Sequence, residues 1–443
     1  MNKIKKLFLL MFVCSLSLVF TGCGDKGSVV FYNFKPEVEK VWEDIAKDYT
    51  EKTGVEVKVA TYSGGLYDSV LMTSLLSKNP PTLFQVSGDL DKTKFEYCYD
   101  LKDTKIYDLL SDKNLAAKDS EGHIVGIPYA VEGYGIIYNN YLLKLYFSLG
   151  QRQTIVNSIE DIDSFEKLKI VADDLQIHGK EIGIKGAFSS TSLSTGEEWR
   201  WGTHLFNYPL LYEFEEKNIV EPKVNELELK YFDYMKNIFD LYIKDSTTGT
   251  KDLDNIKVDD SIKEFATGKS MFLQNGNWAW EQLLNVENRT ILENQISMLP
   301  IYTGYNDEYY NGIAVGTESY FAINKNSSKK DIKATLDFLE WLFSSEEGKK
   351  HVVNDLKFIA PMNTFTESDM PDNPLAKEVI RYINDESKNN VKWVFQAIPN
   401  EDLKNYIGRQ LYEYVVLGKS WDEIKSDILY RWNSIIKGES YFE

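Results

Sequence analysis

Between residues 28 and 88 the chain switches repeatedly between two hydrophobic periods, and this narrows its fold more than any other feature. SVVFYNF (28–34) is an apolar run of strand length. PEVEKVWEDIAKDYTE (36–51) follows with Val38, Val41, Trp42, Ile45 and Tyr49 on one helical stripe and Thr53-Gly54 as its stop. VEVKVATY (55–62) alternates as a second strand, Ser63-Gly64-Gly65 turns, and Leu66–Leu76 is helical again. PTLFQVSG (81–88) is a third strand closed by glycine. Strand, helix, strand, helix, strand at this spacing implies a parallel sheet with helical crossovers, so an α/β fold is expected.

The pattern then changes. HIVGIPYAVEGYGIIYNNYLL (123–143) holds two apolar-rich stretches around Glu132-Gly133. SIEDIDSFEKLKIVADDLQIHG (158–179) predicts a helical block that starts at a Ser158 cap, with Asp161 three residues on. Helical patterns dominate to about residue 298. Strand character returns in ISMLPIY (296–302) and GIAVGTESYFAIN (312–324), and SKKDIKATLDFLEWLFSSEEGKKHVV (328–353) is an amphipathic helix. The tail from 374 to 443 is helical, and the sequence shows no internal repeat. A chain of 443 residues is long enough for two lobes rather than one core.

The first residues read MNKIKKLFLLMFVCSLSLVFTGC. Lys3, Lys5 and Lys6 precede an apolar run over residues 7–20, too short for a bilayer span of roughly 20 residues but suited to the core of a secretory signal. Phe20-Thr21-Gly22-Cys23 resembles the lipobox of bacterial lipoproteins, in which the cysteine is diacylated and becomes the new N-terminus. The resemblance implies a signal peptide over 1–22, lipidation (palmitate) at Cys23, a tether over 23–27, and attachment to the extracytoplasmic face of the cell membrane. Cys98 would then be the only thiol left, unable to form an intramolecular disulfide, and its setting in FEYCYD suits a small core residue. Removing a segment with three lysines and no acids takes the formal charge from −18 to near −21. That balance argues against nucleic acid as a partner and against adsorption to anionic lipid.

Five stretches carry a second resemblance: PTLFQVSG; GIPYAVEGYGIIYNNYLL; FLQNGNWAWEQ; MLPIYTG followed by NGIAVGTESYFAIN; and DFLEWLFSSEEGKKHV before APMNTF. In this order they resemble the carbohydrate-binding extracellular solute-binding proteins of ABC importers (family 1, similar to maltose-binding protein). The resemblance implies a periplasmic-binding-protein-like fold of type II, with two α/β lobes and a ligand cleft between them. Lobe 1 would span 28–130 with 300–352, and lobe 2 would span 131–299 with 353–443. It further implies a monomer that captures a sugar or oligosaccharide and delivers it to an ABC permease with a separate ATPase, without catalysis or cofactor.

Open parallel sheets bind ligands at the carboxyl ends of their strands. That rule selects Asn33 and Phe34, Tyr62 to Gly65, and Ser87 to Asp89, although each polar residue among them could equally cap the next helix. Trp278 and Trp280 lie two apart at a helix start, about 200° from each other, so one faces core and the other a cleft. The family resemblance puts Trp278 against a sugar ring and leaves Trp280 as packing. It also places a ligand carboxylate at Glu132, for which hinge support is the competing role, and an aromatic contact near GEEWRWGTH, at Trp199 or Trp201. Trp393 in VKWVF is a further candidate; Trp42 and Trp341 lie on apolar helical stripes and belong to core. Sugars call for these types, because a pyranose offers C–H patches to an aromatic face and hydroxyls to planar polar groups. At Gln85 the sequence departs from maltodextrin-type members, which carry an aromatic near there.

His123, His178, His204 and His351 show no metal-ligand spacing, and no phosphate loop, dinucleotide fingerprint or G-x-S-x-G is present. Lys257 occupies the glycine position of a calcium-like loop, DLDNIKVDDSIKE. Glu197 and Glu198 are adjacent rather than opposed, unlike a glycosidase pair. Two other classes remain: a binder of a non-sugar solute such as a polyamine, which the acidic balance permits, and a surface glycoside hydrolase.

Overall fold

The computed structural model describes residues 26–438 apart from 63, 88–91, 153, 220–226, 318 and 367. Cys23 and the expected signal segment lie outside the described residues, as does Asp89. Among the described residues no helix is long and apolar enough to cross a membrane.

Two mixed sheets organise the chain. The strands are β1 (Ser28–Asn33), β2 (Glu56–Thr61), β3 (Leu83–Ser87), β4 (Ala117–Lys118), β5 (Ile124–Pro128), β6 (Glu132–Asn139), β7 (Gly186–Phe188), β8 (Ser270–Gly276), β9 (Ile296–Leu299), β10 (Ala314–Gly316), β11 (Ser319–Ile323) and β12 (Val391–Lys392). The first sheet runs β2-β1-β3-β11-β5-β4, with β1 parallel to both β2 and β3, as the alternation near the N-terminus predicts. The crossover helix Glu39–Thr53 buries Trp42, Ile45, Ala46 and Tyr49 and stops at Gly54, whose φ of 70° needs no Cβ. Trp42 meets Phe31 of β1 edge-on at 5.1 Å, so the stripe read from sequence is the face that seals the sheet. Burying one such aromatic or aliphatic side chain is worth roughly 1.5–3 kcal/mol. Cys98 is buried on the opposite face of this sheet.

The second sheet runs β12-β10-β6-β8-β7, with β9 pairing β6. Its central strand β6 is buried along its whole length and lies antiparallel to β8, β9 and β10. One face packs on a large cluster built from the helices between 165 and 244 and from Glu401–Val416 and Trp421–Lys437; the other carries Trp280, Leu283 and Val379.

The sheets are joined by a two-stranded ribbon. β5 continues through Tyr129–Val131 into β6, and β10 continues through Thr317 towards β11. The ribbon pairs antiparallel on both sides, Pro128 with Tyr320 in the first sheet and Glu132 with Gly316 in the second, and its register carries through unchanged. A third segment crosses beside it, where the Val131 amide donates to the Ile359 carbonyl at 2.7 Å.

Two local expectations differ. The helix placed from Ser158 begins at Phe165, because Asp161 turns back to accept from the Asn157 and Ser158 amides and closes a separate turn. The return to the first sheet, expected near residue 300, occurs at Ser319, because β9 and β10 both pair with β6 first.

Candidate functional site

Trp278 is placed by a clamp. At the end of β8, Asn277 exchanges two hydrogen bonds with Gly133 of β6: its amide donates to the Gly133 carbonyl at 2.9 Å, and its side-chain oxygen accepts from the Gly133 amide at 2.9 Å. The helix Ala279–Leu284 starts immediately beyond. Its first turn buries Trp280, 2% exposed, while Trp278 stays half-buried. The indole of Trp278 folds back over Gly276, where a Cβ would come within 2.2 Å of the ring. Only glycine lets the ring lie there.

The WRW stretch divides the same way. Trp201 is 2% exposed, gives its indole N–H to the Ser192 carbonyl at 3.0 Å, and packs on Phe239 and Tyr242. It is core, so the expectation that it meets a ligand is not supported by its position: both its apolar face and its polar atom are committed. Trp199 is half-buried and faces Trp278 at 6.3 Å between ring centres. Between them Arg200 is buried, donating to Gln274 O, Ser192 Oγ and Ser261 Oγ. The backbone here forms a wide turn, with the Phe206 amide reaching the Trp201 carbonyl five residues back at 3.1 Å. Turns of this width occur mostly as single insertions and are frequent at functional sites.

His204 emerges from that turn into the middle of the aromatic group. Its ring lies 5.2 Å from Trp199, 5.4 Å from Trp278, 4.4 Å from Tyr134 and 6.0 Å from Trp393. Burial, aided by the positive charges of Lys404 and Arg200, pushes its pKa down to about 3, so the imidazole is neutral. Trp393 is 8% exposed and rests on Gly316, where a Cβ would fall 2.5 Å from its ring. Trp199, His204, Trp278, Trp393 and Tyr134 thus form one aromatic group at an edge of the second sheet. His204 was not singled out from the sequence as part of it; a lone histidine in RWGTH gives no sign of a partner set drawn from β6, β8 and residue 393.

The residues expected from the first sheet lie at the carboxyl ends of β1 to β3 but are otherwise engaged. Asn33 is fully buried; its Nδ2 donates to Lys35 O at 2.7 Å and Thr61 Oγ1 at 3.1 Å, and its Oδ1 accepts from the Lys35 backbone amide at 3.2 Å. The two Lys35 bonds close a local turn and the Thr61 bond ties that turn to β2; none of them caps the helical turn Pro36–Val38 that follows. Tyr62 is half-buried and packs on Tyr32 at 5.1 Å, with burial raising its pKa. Gln85 is buried, donating to Tyr129 Oη and accepting from the Phe34 amide.

Glu132 stands where the ribbon enters the second sheet, one residue before the glycine clamped by Asn277. Its carboxylate accepts from Lys35 Nζ at 2.7 Å, and both side chains are buried, 8% and 10% exposed. A buried charge is tolerated when paired, so this contact ties the end of β1 to the ribbon. Glu197 and Glu198 accept from the Val258 and Gly196 amides. Among the described residues no three of His, Cys, Asp or Glu group as a metal site.

The sequence pattern of bacterial extracellular solute-binding proteins matches residues 44–378, most of the chain. No curated protein sequence matches it. Several solved structures share its fold at low identity. A chitin oligosaccharide binding protein is 16% identical, covers 94% of this chain and 100% of its own, and has a TM-score of 0.69. RafE in complex with raffinose is 16% identical, covering 92% and 99%, with a TM-score of 0.68. A family 1 extracellular solute-binding protein from Bifidobacterium longum subsp. infantis is 16% identical, covering 93% and 100%, with a TM-score of 0.62.

Proposed function

The chain belongs to the bacterial extracellular solute-binding proteins, and on that premise we propose that its solute is a carbohydrate, an oligosaccharide, held by the aromatic group around Trp278 and passed to an ABC permease. The observation that carries this reading is the pairing of two half-buried indoles, Trp199 and Trp278, around a buried polar ring at an edge of the second sheet. Flat apolar faces beside a hydrogen-bonding edge suit a pyranose, whose own surface divides the same way. The raffinose-bound and chitin-oligosaccharide-binding neighbours support the same class of ligand.

Capture proceeds by closure. The two sheets are the cores of two lobes, the ribbon at 128–132 and 316–320 is their hinge, and the sugar shifts the population towards the closed form. Glu132, at the hinge, exchanges part of its bond to Lys35 for a sugar hydroxyl, while Tyr62 and Asp89 close from the first lobe. The chain does no chemistry on its ligand; transport energy comes from a separate ATPase. A signal peptide over 1–22 directs export, a lipid on Cys23 holds the monomer at the outer face of the membrane, and residues 23–27 are the tether.

The test is thermal unfolding of the chain from Gly24 onward against mono- and oligosaccharides, followed by calorimetry on any hit. A ligand at a thousand times its dissociation constant adds about 4 kcal/mol to stability. A selective, saturable rise in melting temperature with the sugar recovered intact is expected. No rise with any sugar, and a rise with spermidine or putrescine instead, would replace the sugar with a polyamine; a sugar consumed over time would make the protein a hydrolase.

A further inference from the structure

His204 differs from the other three histidines of the chain in what its ring nitrogens meet. His123 Nδ1 lies 2.8 Å from Asp119, His178 Nδ1 lies 3.2 Å from Glu181, and His351 lies 2.7 Å from Asp355 and 3.1 Å from Asp48. Every one of these is paired to a carboxylate. The ring of His204 packs instead against other rings, Tyr134 stacked at 4.4 Å and 10°, Trp199 edge-on at 5.2 Å, Trp278 and Phe395 each at 5.4 Å and Trp393 at 6.0 Å, with Lys404 and Arg200 the charges that act on it. The Tyr134 hydroxyl donates to the backbone carbonyl of His204 at 2.9 Å, and not to its ring. No described residue hydrogen-bonds Nδ1 or Nε2, yet the residue is only 6% exposed.

That arrangement carries a cost. A neutral imidazole presents one donor and one acceptor, and interiors rarely leave such groups without partners. A phenyl ring would fill the same space among the same neighbours with no polar atom to satisfy. Neither nitrogen is among the fully occluded orphan atoms, so the small remaining exposure includes the polar edge of the ring. Trp199 and Trp278, the two half-buried rings of the carbohydrate reading, both have their ring centres within 5.4 Å of that of His204.

Resting on that carbohydrate reading, we propose that His204 is a specificity-determining residue of the site, whose neutral ring hydrogen-bonds one hydroxyl of the sugar stacked against Trp199 and Trp278. A hydroxyl both donates and accepts, so either tautomer serves. The ring selects sugars whose hydroxyl at that position is free and rejects those in which it is missing or alkylated, because its nitrogen would again be buried without a partner. Trp199 and Trp278 supply contact area to any pyranose; His204 supplies discrimination between them.

The experiment is calorimetry of the wild type, His204→Phe and His204→Gln against raffinose, stachyose, maltotriose and N,N′-diacetylchitobiose, with a melting temperature for each protein. For the sugar that wild type binds most tightly, His204→Phe is expected to lose about tenfold or more in affinity, the equivalent of one good hydrogen bond. His204→Gln, which keeps an N–H and a carbonyl, recovers part of it. The melting temperature of His204→Phe is expected to stay level or rise, since an unsatisfied polar edge has been removed. Affinity within twofold of wild type in His204→Phe overturns the assignment while the carbohydrate reading stands, and so does a lowered melting temperature with unchanged affinity, the mark of a structural role. Wild type that binds none of these four nor any sugar of the melting panel, and that spermidine or putrescine stabilises instead, overturns the assignment together with the reading beneath it. Nitrogen-15 spectra of the histidine rings in wild type need no variant to fold: saturating sugar should shift the His204 ring nitrogens without protonating them, and unmoved resonances overturn the proposal.

Discussion

The edges of the two sheets beside the connecting ribbon are built on opposite principles. At the carboxyl ends of β1 to β3, the buried polar side chains bond to protein: Asn33 closes its own turn, Gln85 joins Tyr129 to the Phe34 amide, and Lys35 holds Glu132. At the edge of the second sheet the side chains are mostly rings, two tryptophans remain half-buried, and His204 keeps a polar edge without a protein partner. A network satisfied from within rigidifies and specifies one arrangement; unsatisfied groups wait for something from outside. The difference teaches that the first edge is built as scaffold, whereas the second keeps the aromatic faces and the polar edge that the proposed carbohydrate site calls for.

The sharpest way to break this comparison is to remove Lys35. Lys35→Met leaves Glu132 buried and unpaired and is expected to cost about 3–5 kcal/mol in urea unfolding, while Lys35→Met with Glu132→Leu regains most of it. A single-variant loss below about 1 kcal/mol would mean that the pair is loose and Glu132 already free for ligand.

A second comparison divides the tryptophans themselves. Trp201→Ala is expected to destabilise by about 3–5 kcal/mol, as for a fully buried ring, whereas Trp199→Ala, half-exposed, should cost far less stability and instead weaken sugar binding. Equal stability losses would show that Trp199 is packing like its neighbour.

Acid sharpens the picture of the second edge. His204 is ordinarily half-protonated near 6.5, and in the folded chain its pKa is depressed to about 3 by burial first and by Lys404 and Arg200 after it. Below 6.5 the unfolded chain therefore binds a proton that the folded chain refuses. The contribution to stability is whole above 6.5 and is lost as pH falls towards 3, at up to about 1.4 kcal/mol per pH unit. His204→Phe should flatten the stability profile between pH 6 and pH 4; an unchanged slope would show that the ring is solvated. The smallest effect in energy is the most telling for function. Trp278→Ala is expected to weaken sugar binding at least about tenfold, about 1.4 kcal/mol, without unfolding the chain, and unchanged affinity would remove Trp278 from the site.

Much of the scaffold was legible before any contact was known, because hydrophobic period is a local property. The parallel strands β1 to β3 and the helix Glu39–Thr53 with its Gly54 stop stand where the sequence places them, while the single helix expected over 328–353 ends at Ser344, because Ser345 caps a separate short helix, Glu346–Lys350. The separation of Trp278 from Trp280 followed from helical geometry alone. Which of Trp199 and Trp201 faces outward did not, because spacing sets them on opposite sides without saying which side is core; the Ser192 carbonyl and the Phe239 and Tyr242 rings that hold Trp201 come from other segments. Asn33 looked available because a strand end usually faces a ligand, but a two-residue turn had already used its side chain.

What the sequence determined by itself is therefore much of the local order: which long periodic segments are strands or helices, which face of each is apolar, and that the chain is acidic and rich in aromatic residues. Period, capping and charge act over a few residues and need no partner. What only the tertiary structure decided is which of those aromatics meet, and with what. Tyr134, Trp199, His204, Trp278 and Trp393 come from segments up to about 260 residues apart, and no local rule brings them together; sheet pairing around β6 does. The ionisation of His204 was decided there too, because the pKa of a ring depends on how much water and charge surround it, and that is a property of the packed chain alone.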